Sequence, residues 1–335
     1  PPMSRPDDPH LAAFAAPLLA LALAACGGGG DAAPAAATGA PLTPDNAPAV
    51  AAEAYKAADA LYDSGSLGTT QLKEAQGGAA PLDLVRLATS RLLSLDARPA
   101  TEGRTTKAVT TVSEACPDGG TSSATFDDAD GDGALSTGDS GSFSFVGCRF
   151  ADVVLSGRFA FSGVVVTGTP SSPSRSIAAT FTFESMTASG PAGSGSASGD
   201  VSIQAAIAGT ARQVIDVALA GNSLTVVENA RTRTLSGYSG QLRLDEGAGS
   251  FRYAVQGTVS GTGLPGTVSV TTPTAFVGTI GGFPASGAML LRAADGSAAR
   301  VTATSPVSVT LEVDANADGA FESSSTLTWA QLVGA

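Results

Sequence analysis

The sequence predicts a mainly β protein: a large antiparallel meander, either a curved open sheet or barrel-like, preceded by two short helices. Three observations predict it. From about Thr105 apolar residues recur with period two: Val307, Val309, Leu311 and Val313 alternate with Ser308, Thr310 and Glu312, and Leu155, Gly157, Phe159 and Phe161 with Ser156, Arg158 and Ser162. Glycine supplies 41 of the 335 residues, and Gly, Asn, Asp and Pro punctuate the strand-like runs. Nothing of helical period separates those runs. Crossovers are therefore not expected, and short links join neighbouring antiparallel strands.

Taken in order, residues 11–25 form an apolar run (Leu11, Phe14, Leu18, Leu19, Leu21 and Leu23 among alanines). It is too short to span a bilayer comfortably and fits the hydrophobic region of a secretion signal, assigned to residues 1–25. Residues 26–47, rich in Gly, Ala and Pro, read as a flexible tether. Residues 48–100 read as a helical segment packing on the sheet. Its first helix spans 48–63, with Pro48 in the first turn and Gly65 as its stop. Its second spans 81–95, opened by Pro81 and Asp83, with Leu84, Leu87, Ala88, Arg91 and Leu95 along one face.

Residues 101–335 are assigned to the β domain. Strands are expected at 121–126, 141–147, 174–187, 199–208, 213–220, 223–228, 231–244, 250–260, 266–280, 286–293, 307–313 and 320–329. Turns are expected at Gly221-Asn222, Asp245-Glu246-Gly247, Leu264-Pro265-Gly266 and Asp295-Gly296. The Gly/Ser run 189–199 reads as a flexible loop.

The segment Leu23-Ala24-Ala25-Cys26 resembles the lipobox of bacterial lipoproteins, an aliphatic residue and two small ones before an obligatory cysteine. The resemblance implies that the Cys26 thiol takes a diacylglycerol and that the chain is cut just before it. Membrane anchoring through Cys26 follows, since two or more acyl chains hold a protein stably. Gly27 in place of aspartate after the cysteine implies sorting to the outer membrane, on either face.

Composition excludes several chemistries. The net charge of −12 disfavours nucleic acid as a partner and anionic head groups as a docking surface. The only histidine, His10, lies inside the signal, so the mature chain has no imidazole for Ser-His-Asp or Cys-His catalysis or for a His-ligated zinc. Aromatics are 5% of the chain, with the single tryptophan Trp329 and four tyrosines. That is too few for sugar-stacking platforms or for the aromatic girdles of a transmembrane barrel. In an oxidising compartment the two remaining cysteines, Cys116 and Cys148, read as one disulfide. Their spacing is far wider than that of a Cys-x-x-Cys redox pair.

The sharpest motif runs from Asp128 through Asp130, Asp132, Gly133, Ala134, Leu135 and Ser136 to Asp139. It resembles the calcium loop of EF-hands, and more closely that of dockerins, because an aspartate closes it. The resemblance implies Ca²⁺ held by carboxylates at positions one, three and five (Asp128, Asp130, Asp132), the Ala134 carbonyl, Ser136 and Asp139, with Gly133 at the sharp turn. Strands flank it where an EF-hand has helices. The alternative reading is an Asp/Gly turn that binds nothing. A weaker copy is Asp314, Asn316, Asp318, Gly319 and Glu322. Its position twelve is Ser325, which offers no bidentate carboxylate, while Glu322 at nine is a substitute ligand. Calcium in either loop would be structural.

The acidic residues Glu184, Asp216, Glu228, Asp245 and Glu246 are candidates for paired glycosidase carboxylates, but no spacing singles out a pair. No phosphate-binding loop, dinucleotide fingerprint or nucleophile elbow occurs. As a whole the chain resembles uncharacterised β-rich lipoproteins of β-proteobacteria, a resemblance that carries no activity. The expectation is a non-enzymatic, membrane-anchored envelope lipoprotein, structural or binding another envelope protein, with calcium-stabilised loops. The alternative is a carrier holding an apolar ligand or lipid in its curved sheet, and a carboxylate-based hydrolase ranks last.

Overall fold

A computed structural model describes residues 39–65 and 108–334, apart from 151, 170, 171, 173, 192 and 209–213. Cys26 and the helix expected at 81–95 lie outside the described residues. Helix α1 spans Ala47–Gly65, two residues beyond expectation at its C-terminal end. Its entry is fixed by a reciprocal pair: Thr43 N–H donates to Asn46 Oδ1 at 2.9 Å, and Asn46 N–H to Thr43 Oγ1 at 3.4 Å. These bonds satisfy donors that a helix start leaves without internal partners.

The rest is one antiparallel sheet of fourteen strands in sequence order. They are β1 (Ala108–Ala115), β2 (Thr121–Asp128), β3 (Ser140–Phe150), β4 (Val153–Thr167), β5 (Ser174–Gly190), β6 (Gly193–Ala208) and β7 (Val214–Glu228). Then follow β8 (Arg231–Asp245), β9 (Ser250–Gly261), β10 (Val268–Thr279), β11 (Pro284–Arg292), β12 (Ala298–Ala303), β13 (Ser308–Asp314) and β14 (Ser323–Thr328). A short helix, α2 (Trp329–Val333), ends the fold. Among the described residues the sheet is an open one: β1 and β14 are its two edges and do not pair with each other. The meander follows from the links, which are too short to carry a chain past its neighbour.

One face of the sheet is apolar, and the alternation that builds it slips repeatedly. On β5, Ile177, Ala179, Phe181 and Phe183 are buried, then Met186 and Ala188. The slip falls at Ser185, whose φ is +52°, and the pairing with β6 shifts between Phe183 and Met186. Gly147 on β3, Gly163 on β4 and Gly237 on β8 sit at similar slips with positive φ. A one-residue slip turns every later side chain to the other face. Each bulge therefore keeps the apolar set inward while increasing the local twist.

Helix α1 lies on this apolar face and touches β7, β8, β9, β12, β13 and α2, so the sheet curves around it. Ala47, Val50, Ala51, Ala54, Ala57 and Ala58 of the helix are buried. Small side chains let helix and sheet approach closely. Tyr55 meets the rings of Phe276 and Trp329, with centroids 6.1 and 4.9 Å away. The buried Trp329 donates its indole N–H to the carbonyls of Pro284 and Ser305 at 3.1 and 3.2 Å. A second aromatic cluster joins β3, β4 and β5: Phe159 packs on Phe143, Phe145, Phe181 and Phe183 at centroid distances of 5.0–6.3 Å.

Buried charge ties α1 to β8. The Glu53 carboxylate accepts from Arg233 Nε and, at 3.1 Å, from Arg231 Nη1, while Arg233 Nη1 reaches Glu228 Oε2 at 2.9 Å. Burial alone would raise the Glu53 pKa. The hydrogen bonds and charge of Arg233, with Arg231 and Lys56, outweigh it and hold the carboxyl below its ordinary value.

Four expectations are corrected. Residues 193–199 of the Gly/Ser run are strand, the first half of β6, paired with both β5 and β7. Gly221-Asn222 is not a turn: 214–228 is one strand, and Gly221 pairs with Tyr238. The C-terminal strand stops at Thr328 and gives way to α2. Strands β1 and β12 were not among those expected.

Candidate metal centre

Residues 129–139 link β2 to β3, and the loop begins where Asp128 leaves the sheet with its side chain pointing inward. Hydrogen bonds from the backbone organise its carboxylates. Asp128 accepts from Gly131 N–H at 2.6 Å and Gly133 N–H at 2.7 Å. Asp130 Oδ1 accepts from Asp132 N–H at 3.3 Å, and Asp132 Oδ1 from Ala134 N–H at 2.7 Å. Asp139 closes the ring by accepting from Ala129 N–H at 2.8 Å and Ser136 N–H at 2.6 Å. Gly131 and Gly133 take φ of +78° and +79°, a region that glycine enters without the steric penalty of a Cβ.

The outcome is a convergence of charge. Asp128, Asp130 and Asp139 each present a carboxylate oxygen, all within 4.8 Å of one another. Asp139 is 0% exposed and Asp128 5%. Burial raises the Asp139 pKa and its two N–H donors lower it, but the neighbouring Asp128 and Asp130 charges leave it raised. At Asp130 lost hydration acts upward, and hydrogen bonds, led by Asp132 N–H, bring the value below the ordinary one. Ser136 Oγ is buried beside Asp130 with no well-formed hydrogen bond. Leu135 points into the core. Positions one, three and twelve of the loop pattern, Asp128, Asp130 and Asp139, are the three that lie together. Asp132 stands outside the group of three, its carboxylate turned to Ala134 N–H.

At the far end of the same hairpin Cys116 and Cys148 are disulfide-bonded, with Cα atoms 5.4 Å apart. The positive φ of Gly147 brings Cys148 to the buried face. Loop and disulfide therefore clasp opposite ends of β2–β3.

The weaker copy forms the β13–β14 hairpin loop. Asp314, Asp318 and Glu322 present carboxylate oxygens within 4.8 Å of one another. Asn316 lies beside them: its Oδ1 accepts from Asp318 N–H at 2.9 Å and its Nδ2 donates to Asp318 Oδ2 at 3.2 Å.

The other acidic residues are dispersed. Glu184 pairs with Arg158 at 3.3 Å and Asp216 with Arg243 at 3.1 Å, all exposed. Glu228 serves Arg233, and Asp245 Oδ1 caps the turn by accepting from Ala248 N–H at 2.9 Å. Glu246 is exposed in that turn. An apolar-ligand carrier called for an open apolar cavity on the curved face. Among the described residues that face carries α1, and the recess between Ala54, Ala58 and β8–β10 measures about 10 Å³. A groove of about 480 Å³ lies over β6–β10 and is walled about equally by polar side chains, among them Gln241, Arg243 and Arg252, and by apolar ones such as Val217 and Leu242. Sequence reasoning did not anticipate the Glu53–Arg233 tie, since nothing local marks residues 180 positions apart as partners. No protein-family model matches this chain, and comparison with curated proteins and with solved structures also finds no match.

Proposed function

We propose that this chain is a non-enzymatic envelope lipoprotein, held in the outer membrane by lipidated Cys26, whose sheet is rigidified by calcium in the Asp128–Asp139 loop. The observation that carries the calcium part is the convergence of Asp128, Asp130 and Asp139 within 4.8 Å, with Asp139 withdrawn from water. Three carboxylates at that spacing repel one another, and a hard cation that takes six to eight oxygens relieves the repulsion. Ser136 and the Ala134 carbonyl are the further oxygens the loop provides. The lipid anchor rests on the Leu23-Ala24-Ala25-Cys26 lipobox.

Two experiments test the reading. Calcium at one hundred times its Kd stabilises by about 2.7 kcal/mol. It should raise the melting temperature of the wild type, and Asp130→Ala should remove the part of that rise that comes from this loop. No calcium effect on the wild type sinks the metal reading. Labelled palmitate should enter the wild-type chain and not Cys26→Ala; equal labelling of both sinks the anchor.

A further inference from the structure

The loop between β13 and β14 departs from the twelve-residue pattern at its last position. Asp314 Oδ2 accepts from Gly319 N–H at 3.0 Å, as Asp128 does from Gly133. Asp318 Oδ1 accepts from Ala320 N–H at 2.8 Å, as Asp132 does from Ala134. Glu322 Oε2 accepts from Ala315 N–H at 3.2 Å, the bond that Asp139 makes to Ala129. Glu322, three positions early, thus stands where the closing carboxylate stands in the first loop. Ser325 instead pairs with Leu311 in the ladder.

A separate observation points to a ligand. Asp314 is 2% exposed, and its Oδ1 is buried with no hydrogen-bond partner. A carboxylate oxygen taken out of water without a donor is costly unless a cation or donor meets it. Arg300 does not neutralise it. Its guanidinium lies 4.4 Å over the Phe321 ring and is held by Glu312 at 2.7 and 2.8 Å.

We infer that residues Asp314–Glu322 form a second site for a hard divalent cation of the calcium class, a nine-residue loop closed by Glu322. Asp314 supplies its buried Oδ1, Asp318 and Glu322 supply carboxylates, and the ion locks the β13–β14 hairpin against the end of β12, where Asp314 pairs with Ala298. The site stands on its own geometry, independent of the first loop.

Calcium chloride titrated into the full chain by calorimetry tests it. The wild type should take two ions. Glu322→Gln and Asp318→Asn, both at exposed positions, should each keep the wild-type circular dichroism and weaken one of the two sites at least tenfold. Ser325→Ala should change neither site. Wild-type binding in both Glu322→Gln and Asp318→Asn overturns the inference, as does a single ion lost with Asp130→Ala. A single ion lost with Glu322→Gln and kept in Asp130→Ala upholds this site and refutes the first.

Discussion

Replacing Glu53 by alanine is predicted to loosen α1 from the sheet at a cost large for one side chain. Glu53 is 4% exposed, and the Arg233 side chain it meets is 6% exposed. Removing one member of a buried ion pair costs about 3–5 kcal/mol, because the other is left charged and desolvated. Glu228 still holds Arg233 Nη1 at 2.9 Å, which places the expected loss at the lower end, about 3 kcal/mol. Arg231 is 62% exposed, so Arg231→Ala should cost less than about 1 kcal/mol. Equilibrium unfolding in urea of both variants, of Arg233→Ala and of the Glu53→Ala/Arg233→Ala pair supplies the cycle. The double variant should lose less than the two singles together, since it strands no charge. The acid limb gives a second check. The folded Glu53 pKa lies below the unfolded value of 4.5, so its stabilisation is present above that pH and fades as pH falls through the folded value. Glu53→Gln should remove this part of the acid sensitivity. A Glu53→Ala loss below about 1 kcal/mol, or strict additivity in the cycle, would refute the argument.

Changing Cys116 and Cys148 together to serine opens a loop with a sequence separation of 32, and urea unfolding should show a loss of about 3–4 kcal/mol. Gly199→Ala should destabilise by about 2 kcal/mol or more, because φ is +125° and the new Cβ would stand 2.1 Å from Ser223 O. Gly249→Ala, at φ +61° in open space, should cost only about 1–2 kcal/mol, and thermal melts that rank the two equally would contradict the reading.

Where a strand has one wet and one buried face, its residues announce it. Val309, Leu311 and Val313 are buried as their alternation requires. Strand β1 escaped detection because residues 109–115 are exposed on both faces, which leaves no alternation to read. The 193–199 segment failed for the opposite reason. Its Gly and Ser content is poor strand material, yet hydrogen bonding from β5 on one side and β7 on the other overrides propensity, and Ala197 is buried. Gly221-Asn222 looks like a turn, but pairing with β8 carries the chain through it, while the register with β6 shifts there. One miss had a local signal. Thr328-x-x-Gln331 is a capping box, with Gln331 N–H donating to Thr328 Oγ1 at 3.1 Å, and it marks the start of α2. In the β2–β3 loop, spacing pointed to Asp128, Asp130, Asp132 and Asp139, of which Asp128, Asp130 and Asp139 converge. In the second loop the spacing already named Glu322 as the substitute for Ser325; what it did not show is that Glu322 accepts from Ala315 N–H, the bond that Asp139 makes to Ala129.

The unbroken neighbour-to-neighbour order of the strands has a kinetic consequence. Each hairpin closes a short stretch of chain, so the sheet can grow outward from any one of them without waiting for distant segments. Helix α1 is different. Its ion-pair partners on β8 lie 178 and 180 residues downstream. The sheet must therefore be largely assembled before the helix has a surface to settle on. Docking of α1 is then the late step that seals the apolar face, and variants of Glu53 should accelerate unfolding while leaving the rate of folding nearly unchanged.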